Sequence, residues 1–112
     1  MIERHWKGIA KLEEADNYIE HLLKDTFPKI EMIKGFVKAS ILKRPAQQGV
    51  EFLIITVWDS IEAIQQFAGT NPDDAVVPLV VQKMMATYDR NVIHYEIDHG
   101  WISQNSYDRK QN

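Results

Sequence analysis

The chain has 112 residues, 45% of them hydrophobic and 26% charged, with no cysteine and a formal net charge of -3. That profile fits one folded domain. It argues against a nucleic-acid partner, which needs a basic surface, and excludes disulfides, thiolate metal sites and cysteine nucleophiles. No apolar run approaches the roughly 20 residues that span a bilayer. The opening Met1-Ile2-Glu3-Arg4-His5-Trp6 lacks the basic segment and apolar run of a signal peptide. A cytoplasmic protein with no membrane partner is therefore expected, in keeping with the missing cysteines. Residues 1–50 carry 9 Lys/Arg against 7 Asp/Glu, and residues 51–112 carry 4 against 9. This asymmetry is read as a solvated basic face on the first half.

Residues 2–10 alternate as a strand does: Arg4, Trp6 and Gly8 fall on one face, His5, Lys7 and Ile9 on the other. The period then changes. Leu12, Ala15, Ile19, Leu22, Leu23 and Phe27 make one helical stripe. Glu13, Glu14 and Asp16 suit the positive end of the helix dipole. Pro28 is expected to end this helix, because the residue before a proline is pushed out of the α region. Residues 32–42 read as a second strand, started or bent at Gly35, residues 43–49 as a turn, and residues 50–58 as a third strand. Two strands joined this closely must be antiparallel neighbours.

Asp59-Ser60 marks a helix start, with Glu62 as a capping-box partner for Asp59, and Gly69 a stop. Ile61, Ile64 and Phe67 form its buried stripe. Residues 71–74 read as a turn whose Asp73-Asp74 pair caps a last helix over residues 75–88, with Pro78 tolerated in the first turn. The run 76–81 also suits a strand, but Met84, Met85 and Tyr88 restore helical spacing. Residues 91–98 read as the fourth strand, with Val92, His94 and Glu96 sharing a face. A domain over residues 1–99 is followed by a polar tail, 100–112, which Trp101, Ile102 and Tyr107 are placed to pin.

This order predicts an α+β, ferredoxin-like fold: a four-stranded antiparallel sheet with helices on one face. The third strand then poses a problem. Phe52, Ile54 and Trp58 occupy one face, Leu53, Ile55 and Val57 the other. Burying a Leu or Ile contributes about 1.5–3 kcal/mol, so leaving three in water is costly. Helices cover one face only; a second copy is the simplest cover for the other, and a homodimer through the sheet is expected.

Residues 52–69, with the element Trp58-Asp59-Ser60, resemble the third strand and following helix of antibiotic-biosynthesis-monooxygenase-like domains. The likeness extends to Gly35-Phe36-Val37 and to residues 92–96, covering residues 2 to 98. It implies a dimeric α/β barrel of ferredoxin-like subunits. Members include cofactor-independent monooxygenases on aromatic polyketides, haem-degrading enzymes and cyclases. The haem degraders carry a tryptophan in the helix after this element and a ligand histidine ten residues on; Phe67 and Val77 stand at the matching positions, and neither ligates iron. The resemblance therefore implies a monooxygenase or related enzyme on an aromatic or quinone-like molecule, with no cofactor, rather than a haem degrader.

His94 and Glu96 lie two residues apart on one strand face, with His5 expected to face the same way from a neighbouring strand. A histidine beside a carboxylate can act as general base; a satisfied polar pair at a sheet edge or dimer seam explains the same spacing. Trp6, Trp58, Phe67 and Tyr88 are candidate walls for a flat ligand, or plain core, and Arg44 is a candidate for oxyanion support. His5, His21, His94 and His99 show no metal-ligand spacing. No phosphate loop or nucleophile elbow is present. A non-catalytic binding protein on the same dimeric fold is the alternative.

Overall fold

The alternation at the N-terminus does form a strand, β1 (Ile2–Ala10), and it lies centrally in the sheet of the computed structural model, which describes residues 1–105. A helical segment follows. It comprises a 3-10 turn (Leu12–Glu14), α1 (Ala15–His21), a π turn (Leu22–Thr26) and α2 (Phe27–Glu31). Pro28 does not end this helix. Its ring would crowd the carbonyl four residues back. In the widened π turn the Phe27 amide instead reaches the Leu22 carbonyl, five residues back, and the chain stays helical through the proline. Tyr18, Leu22 and Ile30 form the inner face, while Leu12 and Leu23 point outward.

The second strand, β2 (Phe36–Ala46), starts later than expected because Gly35 turns the chain at φ +104°. A Cβ there would strike the Asp59 carboxylate and sit 2.7 Å from Ala63 Cβ, so only glycine fits. β2 also runs through Pro45, which the sequence reading placed in a turn. β2 is an edge strand, where a missing N–H costs no ladder bond. Gln47 and Gln48 alone link it to β3 (Gly49–Trp58).

Ser60 caps α3 (Ile61–Ala68): its Oγ accepts from the Ala63 amide at 3.1 Å. The Asp59 amide goes to the Gly35 carbonyl at 2.8 Å.

The expected helix over residues 75–88 is corrected. Only α4 (Leu79–Met84) is helical, and β4 (Met85–Tyr88) pairs with β1. The last strand, β5 (Ile93–Glu96), pairs with the other end of β1 on the same edge. β4 and β5 thus share the fourth place in the order β2-β3-β1-β4. Between them residues 89–92 bulge outward and pair with residues 73–75, through Val92 N–H to the Asp73 carbonyl and Ala75 N–H to the Arg90 carbonyl, each 2.9 Å.

The helices between residues 12 and 84 all lie on one face, so the fold is α+β and ferredoxin-like. The register places Ile2, Arg4, Trp6, Gly8 and Ala10 of β1, with Phe52, Ile54, Thr56 and Trp58 of β3, toward the helices. Two clusters fill this side. One gathers Tyr18, Leu22, Phe52, Ile54, Val81 and Met85; the other gathers Ile30, Trp58, Ala63 and Ile64. Phe27 packs against both.

The opposite face presents Ile9, Leu42, Leu53, Ile55, Ile93 and Tyr95, with none of the helices between residues 12 and 84 over them. Ile93 is 58% and Tyr95 55% exposed in the single chain. Trp101 and Ile102 are exposed and pin nothing in this chain; Tyr107 lies outside the described residues.

Candidate functional site

The seam between the two apolar clusters leaves a cavity of about 60 Å3. Tyr18, Leu22 and Ile54 line it from one cluster, Ile30 from the other, and Phe27 and Phe67 from the helices. Trp6, Thr26, Thr56, Val76 and Val92 complete the wall. Among the described residues one charged group reaches it: Arg4, only 4% exposed.

Arg4 occupies an inward position of β1, where its stem packs among apolar neighbours and its head must find polar partners. The turn at residues 71–74 supplies them. Nη1 donates to the Pro72 carbonyl, and Nη2 to the Asp74 carbonyl at 2.7 Å. Asn71 holds that turn, its Oδ1 accepting from the Asp73 amide at 3.1 Å and its Nδ2 donating to Asp74 Oδ1 at 3.3 Å. Asp73 and Asp74 therefore do not cap a helix; they shape a carbonyl cradle for a guanidinium. The guanidinium carbon also lies 5.8 Å from the centre of the Phe67 ring, a cation–π distance.

The third partner is His94, with Nε2 3.0 Å from Arg4 Nη1. Arginine only donates, so Nε2 accepts; the proton then sits on Nδ1 and is donated to Asp73 Oδ1 at 3.2 Å. Burial, and next the Arg4 charge, hold the His94 pKa below the ordinary histidine value, against the pull of Asp73. Burial likewise lowers Arg4 to about 10, opposed by Asp73 and Asp74, so it is still a cation at neutral pH. Among the described residues no carboxylate forms an ion pair with it. Burial also pushes the Tyr18 phenol up, leaving it neutral.

The linked pH effect has a definite sign. Between the lowered folded pKa of His94 and the ordinary unfolded value near 6.5, the unfolded chain binds more protons, so stability rises with pH. We expect the urea midpoint to be highest above about pH 6.5 and to fall as pH drops through that window, with the dependence weakened in His94→Gln. An unchanged dependence in the variant would assign the effect to other groups.

The structure brings together only some of the residues expected from sequence. Trp6 and Phe67 line the cavity, and His94 stands behind Arg4. Glu96 shares the strand face of His94 but is exposed, and the ring is held by Asp73 instead. His5 does not join His94. It pairs across the sheet with Ile93, on the opposite face, where Nε2 meets Glu3 Oε1 at 2.6 Å and its ring centre lies 5.1 Å from that of Tyr95. Arg44 is on that opposite face too, paired with Glu51 at 2.7 Å. Trp58 is fully enclosed core, its Nε1 donating to Thr56 Oγ1 at 2.8 Å. Tyr88 packs against the first cluster without lining the cavity. Arg4 itself was missed as a site residue. Its signal was a charge on the same alternating face as Trp6 and Gly8.

These features define, first, a class of fold. No family model and no curated protein matches this sequence significantly. Solved structures do match, and the likeness shows a ferredoxin-like fold. A proposed antibiotic biosynthesis monooxygenase from Bacillus cereus superposes with a TM-score of 0.64 at 17% identity, over 92% of this chain and 96% of that one. MhuD, a haem degrader from Mycobacterium tuberculosis crystallised with two haems in its active site, gives 0.56 at 18%, over 90% and 99%. A dimeric ferredoxin-like protein from an uncultured marine organism gives 0.57 at 13%, over 91% and 98%.

The haem of MhuD does not fit the residues here. The cavity is far smaller than a macrocycle, Phe67 and Val77 offer no ligand atom, and the His94 lone pair is held by Arg4. No helix among the described residues is long and apolar enough to cross a membrane.

Proposed function

We propose that this chain is a cofactor-independent monooxygenase, or a closely related enzyme, that acts as a homodimer on an aromatic or quinone-like molecule held between sheet and helices. The observation that carries this reading is Arg4: a buried cation at the wall of a largely apolar cavity. Such a site favours an oxyanion developing on a bound ring. The uncovered apolar sheet face supports the dimer, as does the dimeric state of the marine relative. The lack of cysteine supports a cytoplasmic setting.

The chemistry needs an acidic CH2 group conjugated with a carbonyl, as in a hydroxylated anthrone. The ring stacks at Phe67 with its oxygen toward Arg4. As Arg4 turns a donor to that oxygen, His94 Nε2 is released and takes the C–H proton through an intervening water, because His94 stands behind Arg4 and does not line the cavity. The electron-rich enolate reduces dioxygen by one electron, and the radical pair combines to form a carbon–oxygen bond. The peroxide is protonated and then loses water, leaving a new carbonyl. One oxygen atom enters the product, the other leaves as water, and the substrate supplies all the electrons.

Removing one oxyanion donor typically costs 10²–10³ in kcat. Arg4→Met should thus lower oxygen uptake with a hydroxylated anthrone by about a hundredfold or more. Uptake unchanged in the variant would contradict the assignment.

The small cavity and the held lone pair of His94 favour a second reading, a binding protein without catalysis. Ligand binding with no oxygen uptake would select it.

A further inference from the structure

Arg4 is over-supplied for a purely structural task. Its assigned partners are two backbone carbonyls and a neutral imidazole, none of which carries charge. Asp73 and Asp74 act on it only from beyond ion-pair contact. A guanidinium taken out of water costs several kcal/mol, which dipoles offset in part and a counter-ion offsets best. Three of its five donors have partners among the described residues; Nε–H and one hydrogen of Nη2 remain. Two adjacent donors match the two oxygens of a carboxylate. Around them the wall is apolar and aromatic, with Trp6, Phe27 and Phe67.

We infer that the cavity is built for a ligand that is already an anion in water: a small aromatic carboxylic acid, its carboxylate on Arg4 and its ring against Phe67. This rests on the same site as the proposed function but concerns the ligand's standing charge rather than a charge formed during reaction. It names the preferred ligand class as acidic, with neutral rings of equal shape held more weakly. The walls of the cavity set how it admits a ring. Thr26, Ile30, Phe67 and Val76 also line an outer groove of about 320 Å3, so these four side chains form the partition between cavity and groove. The cavity alone, about 60 Å3, is smaller than the ~150 Å3 that holds a benzene, so a ring is admitted only as this partition yields toward the groove.

The test compares benzoate with benzamide, nearly equal in shape and different in charge, by calorimetric titration of the intact protein at neutral pH. Benzoate is expected to bind at least tenfold more tightly, and to keep most of that preference in high salt, because a buried pair is weakly screened. Arg4→Met should bring the two affinities together. Arg44→Met, on the opposite sheet face, should leave the preference intact. Equal affinities in the unaltered protein would overturn the inference, and so would a preference that survives Arg4→Met or vanishes with Arg44→Met. If Arg4→Met does not fold, the comparison in the unaltered protein and in Arg44→Met still decides. The two proposals separate cleanly. Charge preference without oxygen uptake on any ring supports this inference and removes the enzyme; uptake on neutral rings without charge preference removes this inference and leaves the enzyme.

Discussion

Trp58→Ala should lower unfolding free energy by about 3–5 kcal/mol, the range for deleting a fully buried aromatic side chain. That is a large share of the roughly 5–15 kcal/mol that holds a small domain folded. The ring is 0% exposed, lies edge-on to Phe36 at 5.3 Å and stacks on Phe67 at 6.1 Å. Its indole N–H is bonded to Thr56 Oγ1, so truncation also strands a buried hydroxyl. Urea denaturation followed by circular dichroism measures the effect. Because Phe67 is a cavity wall, the variant should also bind benzoate more weakly while it is still folded. A loss below about 1 kcal/mol would mean that the second cluster is not the keystone of the helix side.

Ile55→Glu should convert a dimer into a folded monomer. Ile55 lies on the face that no helix covers, level with His5 on one neighbour and Ser40 on the other. In a sheet-to-sheet dimer its side chain would be desolvated, and an unpaired carboxylate there is far costlier than the isoleucine it replaces. In the single chain the same carboxylate meets water, so the fold survives. Light scattering at micromolar concentration should read twice the chain mass for the unaltered protein and once for the variant. A monomeric mass for the unaltered protein would refute the dimer. The neighbouring substitution Ile54→Glu points into the first cluster, where a carboxylate has no water, and should unfold the chain.

The contrast between Ile54 and Ile55 shows what was legible in the sequence. Alternation in β1 and β3 grouped side chains by face correctly because the pleat has a strict period of two, and a one-residue slip would invert every side chain. The helix start at residue 60 was legible because a serine followed by an amphipathic stripe has one local explanation. Residues 75–88 were not. An apolar run containing a proline suits a helix, a strand or a packed loop, and its fate is set by the free edge of β1, which local pattern does not reveal. Pro28 misled for a related reason: the rule that the residue before a proline leaves the α region is only a bias, and Phe27 keeps helical angles of φ -66° and ψ -41° while the π turn relieves crowding of the carbonyl four residues back.

The site was half legible. Trp6, Phe67 and His94 were reached as candidate chemistry, whereas Glu96, His5, Arg44, Trp58 and Tyr88 stand elsewhere. Arg4 was overlooked because its carbonyl partners, Pro72 and Asp74, lie 68 and 70 residues away and leave no trace in side-chain type. A charged residue in a strand reads as solvated until the register shows which neighbours it faces.

That register divides the sheet into a helix side holding Arg4, Phe67 and His94 and an open side holding His5, Glu3 and Tyr95. The first is the side proposed for function. A crystal structure of the protein soaked with 2-naphthoate tests that placement. The ring is expected beside Phe67 with a carboxylate oxygen within hydrogen-bond distance of Arg4. A ligand seated on the open face, between two copies and against His5 and Tyr95, would contradict it.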